Sequence, residues 1–282
     1  MCYISLCNWE APILHGGTLY ISYGKDSLAC IGACHHLGWK INRIVHSEIW
    51  ATDTIPADLP PMVAFKKKAD QIIKERWGIE VEHACATKCD GISKNKVTYE
   101  DVFYKTNTRG KFVGNIRGFP LIVGSWCQKL KLNAHQHCRD CNEFLGIALD
   151  EPKRHKILID QKFSPLKEIG WEEDYCGLWC TYSDLLSPTY TDSYRGGCWF
   201  CNKQGVEQLR MLRSNYPEYW ELLLKWDKDS PVPFKADGHT VHDYDKRFMY
   251  EDEGIVPTDR TFRWNMLDRP YQISFFGGAF NG

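Results

Sequence analysis

Residues 18–34 read TLYISYGKDSLACIGAC, and this stretch decides the fold. Positions 18–21 form a short apolar run with β-branched members, which predicts a buried strand. Ser22, Tyr23, Gly24, Lys25, Asp26 and Ser27 then gather hydroxyls, a flexible glycine, a cation and a carboxylate. From Leu28 onward the spacing of Leu28, Ile31 and Leu37 predicts a helix, whose start Ser27 or Asp26 can cap. Strand, polar turn and helix in succession aim unpaired backbone N–H groups and the positive end of the helix dipole at an anion. Gly24 lets the backbone come close, Lys25 adds a point charge, and Ser22 and Ser27 add donors. Asp26 would repel that anion unless a Mg2+ ion sat between its carboxylate and a set of phosphates. The turn therefore reads as a nucleotide phosphate site that does chemistry.

Outward from this stretch the pattern alternates. Residues 41–46 (INRIVH) predict a second strand. A polar, proline-marked loop over 47–61 follows, containing Glu48, Asp53 and Asp58. Residues 62–77 predict an amphipathic helix with Val63, Phe65, Ala69, Ile72 and Ile73 inward and the run Lys66-Lys67-Lys68 on a solvated face. Gly78 ends that helix, and 79–84 predict a third strand. Strand, helix, strand, helix, strand implies parallel strands joined by right-handed crossovers. Residues 85–118 form a long polar insert of the kind that is usually functional. Residues 119–123 and 144–149 predict fourth and fifth strands, with a helix opened by WCQKLKL between them. From Pro165 onward strand patterns vanish, and residues 206–226 predict helices, the second starting at Pro217. The expected domains are 1–164, nucleotide-binding, and 165–282, a helical module, with no internal repeat.

The 282 residues can bury a full core, and 43% hydrophobic with 25% charged residues excludes a disordered chain. A formal net charge of −1 argues against a sequence-blind nucleic-acid binder held by bulk charge, though not against a local basic groove. No apolar run approaches a membrane span, and the first residues lack a basic signal-peptide head. Thirteen cysteines, an odd number in a chain too large to need disulfide staples, point to thiol or metal chemistry in a reducing compartment. The expectation is a soluble cytoplasmic protein with no membrane partner.

The turn does not match the common phosphate loop, G-x-x-x-x-G-K-[ST]. The segment SYGKDS instead resembles the SGGKDS loop of the ATP-pyrophosphatase (PP-loop) family, with Tyr23 in place of one glycine. TYEDVFY (98–104), GFPLIVGSWCQKLK (118–131), GIALDEPKR (146–154), LLSPTY (185–190) and RGGCWFC (195–201) resemble, in the same order, a branch of the PAPS reductase-like family. That branch is common in phages and mobile elements and is similar to the ATP-pyrophosphatase component of DNA phosphorothioation systems. The resemblance implies an α/β fold, with a five-stranded parallel doubly wound sheet of order 3-2-1-4-5 and a C-terminal helical module bearing cysteines. That order puts the switch point, where ligands bind, between the first and fourth strands. The turn and the Trp126–Cys127 corner would then face each other across one crevice.

Cys198 and Cys201, in C-W-F-C after two glycines, form a tight turn suited to presenting two thiolates to one metal. The resemblance adds Cys127 and implies a [4Fe-4S] cluster, with Zn2+ as the alternative. Cys180, or Cys176, is the preferred fourth ligand; a cluster with three protein ligands and one open iron is the other arrangement. Cys138 and Cys141 are rivals that could form a separate zinc site with His135 or His137. Cys85 and Cys89 are outsiders, Cys30 and Cys34 read as core residues, and Cys2 and Cys7 carry no signal.

Arg154 matches an arginine that in the family faces phosphate or substrate, and Asp150 and Glu151 beside it are candidate metal or substrate contacts; the alternative is an ordinary capping and salt-bridge cluster at a strand end. Lys129 and Lys131 either extend a positive crevice or line a helix face. Glu48 and Asp53 stand where relatives hold adenine or ribose. By resemblance, the activity is ATP-dependent adenylyl transfer with release of pyrophosphate, coupled to sulfur transfer. Lys25, Asp26 and Arg154 are the catalytic candidates, and Ser22 to Ser27 with Glu48 the nucleotide contacts. ATP, a sulfur donor protein or small thiol, and a nucleic-acid acceptor are the implied partners, and a homodimer is compatible. The alternatives are sulfonucleotide (PAPS) reduction, against which stand the Lys25–Asp26 pair and a tail (YQISFFGGAFNG) without cysteine, and a non-catalytic nucleotide- or metal-binding module of a phage or defence complex.

Overall fold

The computed structural model describes residues 16–89, 94–110, 112–120, 126–134, 142–190 and 196–268. Strand β1 (Gly17–Ile21) is followed by helix α1 (Lys25–Leu37), strand β2 (Ile41–Ser47), helix α2 (Pro60–Trp77) and strand β3 (Val81–Ala84). Strands β4 (Thr87–Cys89) and β5 (Lys94–Lys96) form a small antiparallel hairpin, and helices α3 (Tyr99–Phe103) and α4 (Trp126–Ala134) come next. Strands β6 (Asn142–Leu145) and β7 (Lys162–Phe163) precede helices α5 (Pro165–Ile169) and α6 (Glu173–Tyr182). Helices α7 (Val206–Asn215), α8 (Pro217–Asp229) and α9 (Val241–Asp252) follow. Among the described residues no helix is long and apolar enough to cross a membrane.

The main sheet has the order β3-β2-β1-β6-β7, all parallel, which is 3-2-1-4-5 in the sheet's own count. The topology is the expected one, but two of its strands come from other parts of the chain. Phe119 and Pro120 are not in a strand, and the rest of the expected fourth strand, 121–123, lies outside the described residues. Asn142–Leu145, earlier than the expected 144–149, pairs with β1, and Lys162–Phe163 closes the edge. Phe119 is drawn away by packing: it meets Phe103 and Phe234 edge-on, with ring centroids 5.3 and 5.0 Å apart.

β1 is central, so its side chains are buried on both faces, and α1 is buried from Ser27 through Cys34 because α5 and α6 cover it on the side away from the sheet. The first core joins these elements to Phe65, Ile73, Phe144, Leu166 and Trp171. A second core collects Ile49, Tyr99, Phe103 and Phe119 with Trp199, Phe200, Trp226 and Phe248. Thus α5 and α6, beyond the expected boundary at Ser164, belong with the sheet, while the polar insert packs with the C-terminal helices. Within that insert, Thr98 and Asp101 form a reciprocal capping box that starts α3. Gly78 ends α2 with φ +69°, as expected of a left-handed cap.

Candidate active site

The turn after β1 is built from its own hydroxyls. The Ser22 N–H donates to Ser27 Oγ at 3.1 Å, and Ser27 Oγ donates to the Gly24 carbonyl at 2.9 Å. Helix α1 therefore starts at Lys25 with Gly24 as its N-cap and no side-chain cap, rather than with Ser27 or Asp26 capping it. Gly146, just past β6, makes room for this start: a Cβ there would lie 2.7 Å from both Cα and N of Ser27. Tyr23 takes φ +58°, the left-handed region that glycine occupies at little cost. Its ring is fully buried, and its hydroxyl donates to Asp70 and lies 3.2 Å from His83 Nε2.

Beyond the carboxyl ends of β1 and β2 lies a cavity of about 670 Å³, within the range of ordinary ligand pockets. Ser22, Tyr23 and Gly24 form one wall, and Gly196, Gly197 and Cys198 form another. The backbone N–H of Lys25, the first of α1, donates to the hydroxyl of Tyr190 at 3.2 Å, and Tyr190 itself lines the cavity. An oxygen thus already sits on the helix N-terminal amide.

Two lysines, Lys66 and Lys131, line this cavity. Lys66 does not belong to a solvated face as the lysine run suggested: it is 6% exposed, while Lys67 and Lys68 are exposed. Its ammonium pairs with Asp58 and donates to His46 Nε2 at 2.7 Å. His46 Nδ1 lies 2.9 Å from the Ile21 carbonyl, which only accepts, so Nδ1 carries the proton and Nε2 offers its lone pair to Lys66. Burial first, then the Lys66 charge, lowers the His46 pKa to about 4 and keeps the ring neutral. A signal for Lys66 exists in the sequence: it shares the buried stripe of α2 with Met62, Phe65, Ala69 and Ile73.

Behind the cavity, His83 hydrogen-bonds Asp70 at 2.9 Å and approaches Glu48 at 3.7 Å. The Asp70 bond first, then that of Glu48, raises its pKa to about 9, so it is an imidazolium between two carboxylates. The Glu48 carboxyl is held below its usual range by His83. It also accepts from the Trp50 indole at 3.0 Å, so this nucleotide candidate belongs to a network behind the pocket and is not one of its lining residues.

Lys25 and Asp26 turn away from the cavity. Lys25 Nζ pairs with Asp26 at 2.9 Å and with Glu173 of α6 at 2.6 Å, and neither side chain lines the pocket. Burial works against the Lys25 charge, but the hydrogen bonds from Glu173 and Asp26 outweigh it and raise the pKa. Asp26, expected to carry Mg2+, is held in this seam, and burial raises its pKa. Arg154 is likewise outside the cavity, on a half-exposed side chain gripping Glu151 at 2.6 and 2.7 Å. Asp150 accepts from the Glu173 N–H at 3.1 Å near the start of α6. Lys129 and Asp53 border a second cavity of about 750 Å³ on the other side of α4.

Of the four nominated metal ligands, three converge. Trp126 precedes Cys127, Phe200 lies between Cys198 and Cys201, and both rings pack on Tyr99, with centroids 4.7 and 4.1 Å away. The Cys198 thiol is pushed up to about 12 by removal from water; Lys131 pulls the other way, and Asp58, Cys201 and Cys127 add to the rise. Cys180 is elsewhere: it is fully buried in the first core with Cys176 and donates to the Lys25 carbonyl at 3.3 Å, because α6 packs on α1. Cys30 and Cys34 lie in that same core, as expected. Cys138, Cys141, His135, His137, Cys2 and Cys7 fall outside the described residues.

No family model and no curated protein matches the chain. Among solved structures it is similar to the U34-tRNA thiolase NcsA from Methanococcus maripaludis with its [4Fe-4S] cluster, at 15% identity over 82% of this chain and 80% of that one, with a TM-score of 0.34. A likeness of that degree assigns no activity to this chain, and the chemistry rests on the side chains themselves.

Among the described residues no three histidine, cysteine or acidic side chains are arranged to hold a single metal ion. Zinc, about 2.3 Å from each sulfur, needs its thiolates within about 4 Å of one another. Thiols set around one buried ring suit a polynuclear iron–sulfur cluster, whose ligands sit on separate corners. Tyr99 Oη and Trp126 Nε1, on rings whose centroids are 4.7 Å apart, are buried donors with no partner among the described residues.

Proposed function

We propose that this chain binds ATP in the cavity beside Ser22–Gly24 and transfers its AMP moiety to an oxygen of a nucleic-acid acceptor, after which sulfur replaces the activated oxygen. The observation that carries this reading is a single cavity with the Ser22–Gly24 turn on one wall and Cys198 on another. The Lys25 amide, once released from Tyr190, and the Ser22 hydroxyl offer donors to phosphate oxygens, Ser27 holds the turn in shape through the Gly24 carbonyl, and Lys66 and Lys131 offer positive charge. Asp58 and His46 hold the Lys66 ammonium in place before any ligand arrives, so little reorganisation is needed as charge develops.

In the first step the acceptor oxygen bonds to the α-phosphorus and the bond to the bridging β-oxygen breaks, so pyrophosphate leaves. In the second, a sulfide-level sulfur nucleophile from the sulfur donor uses its own electron pair to bond to the acceptor atom that bears the activated oxygen, and AMP leaves with that oxygen and the electron pair of the broken bond. Cys127, Cys198 and Cys201 would hold an iron–sulfur cluster, which when bound supplies an iron without a protein ligand as a place for sulfur. Lys25 is a positioning residue here: tied to Glu173 and Asp26, it fixes the start of α1 to α6.

The test is calorimetric titration of ATP into anaerobically purified protein, followed by assay of AMP and pyrophosphate on addition of bulk tRNA or DNA. The double variant Ser22→Ala, Ser27→Ala is expected to bind ATP at least about tenfold more weakly, the equivalent of about one hydrogen bond to a charged group. ATP that does not bind, or that binds equally to both proteins, overturns the proposal.

A further inference from the structure

Tyr99 is the first residue of α3 and is 1% exposed, placed there by the Thr98–Asp101 capping box. Its ring is enclosed by Phe200, Trp126 and Trp226, at centroid distances of 4.1, 4.7 and 5.2 Å. A phenylalanine would fill this volume without burying a hydroxyl. Yet the Tyr99 hydroxyl has no hydrogen-bond partner among the described residues, and neither has the indole N–H of Trp126 beside it. Buried donors left in this state are rare, and each calls for a ligand or a cost. A phenolic hydroxyl keeps its proton near neutral pH and is therefore a donor here. Two of the rings that enclose it belong to residues beside the three thiols: Trp126 adjoins Cys127, and Phe200 lies between Cys198 and Cys201.

We propose that Tyr99 Oη–H and Trp126 Nε1–H are hydrogen-bond donors reserved for the sulfur-bearing group that Cys127, Cys198 and Cys201 hold, and that they set its reduction potential. This rests on the cluster reading above and adds to it the residues that tune the centre. Donors to cluster or thiolate sulfur spread its negative charge and favour the reduced state, so their loss moves the potential downward. Tyr99 is a positioning and tuning residue in this role, and its effect must appear in the potential whether or not turnover changes.

The experiment uses the full chain, purified anaerobically and reconstituted with ferrous iron and sulfide. Iron and sulfide are counted chemically, and the midpoint potential is read by a redox titration followed by electron paramagnetic resonance. Tyr99→Phe is expected to keep the wild-type iron and sulfide content and to lower the reduced-to-oxidised ratio about tenfold at a fixed potential, a shift of about 59 mV for one electron. Equal content with an unshifted potential overturns the role of Tyr99 and leaves the cluster reading standing. Wild-type protein that takes up no iron and sulfide, or Cys198→Ser with undiminished content, overturns both. If circular dichroism shows Tyr99→Phe unfolded, Trp126→Phe removes the second donor while keeping a ring, and an unshifted potential there overturns the proposal in the same way.

Discussion

Replacing Lys66 with methionine keeps most of the side-chain stem and removes the ammonium that ties Asp58 to His46. Removing one partner of a fully buried ion pair costs roughly 3–5 kcal/mol, because the other charge is left unpaired. The Lys66 side chain is 7% exposed but that of Asp58 is 17% and borders an open cavity, so water recovers part of the loss. We expect a destabilisation of about 2 kcal/mol by urea unfolding, with an unchanged m-value. In the proposed function the same ammonium meets nucleotide phosphate. One charge-assisted hydrogen bond is worth about 1.5–3 kcal/mol, so ATP should bind roughly 10- to 100-fold more weakly by calorimetry. Lys67→Met is the control: its side chain is exposed, and surface changes of this kind stay within about 0.5 kcal/mol. If Lys66→Met and Lys67→Met were indistinguishable in both stability and ATP affinity, the view of Lys66 as a fixed cation of the cavity would be refuted.

Stability should peak near pH 6.5, because two neighbouring histidines are displaced in opposite directions. His46, lowered to about 4 by burial and Lys66, binds fewer protons folded than unfolded between pH 4 and 6.5, so stability falls as pH drops through that window, by about 3 kcal/mol in all. His83, raised to about 9 by Asp70 and Glu48, contributes stability that is complete below pH 6.5 and is lost as pH rises through 9. Urea midpoints between pH 4 and 9 should trace both limbs, and His83→Gln should flatten only the alkaline one; a flat profile would contradict the assignment. Gly146→Ala places a methyl group against the backbone of Ser27, and overpacking of this kind costs about 1–3 kcal/mol. A variant with wild-type urea midpoint and ATP affinity would show that this close approach is not needed.

Sheet order was legible because it depends on alternation and on the resemblance of several spaced motifs. The choice of strands was less so. Residues 119–123 are as apolar as a strand, and nothing in their pattern shows that Phe119 will pack between Phe103 and Phe234. β7 has only two residues, too few for any period to appear. Cys127, Cys198 and Cys201 are legible as a group because C-W-F-C is a local motif and Cys127 carries the resemblance; Cys180 was misplaced because proximity in sequence to C-W-F-C says nothing about which core α6 joins. Lys66 was hidden by its neighbours. A run of three lysines reads as surface, and only its register against Met62 and Ala69 shows that the first of them lies on the buried stripe.

Tyr23 joins these observations. A non-glycine residue in the left-handed region costs roughly 1–2 kcal/mol, and glycine at this position, as in the resembling loop, would avoid the strain. The tyrosine gains a buried ring 4.8 Å from that of His46 and a hydroxyl bonded to Asp70, whose carboxylate also binds His83. Hydrogen bonds to a charged group contribute enough to offset a strain of that size. The consequence is mechanical: the turn after β1 is fastened through one side chain to α2 and β3, and the same α2 carries Lys66. A glycine there would leave the turn free of this anchor. The chain thus departs from the glycine-rich pattern at a position where tyrosine makes the turn, the buried lysine and the histidine pair one rigid unit.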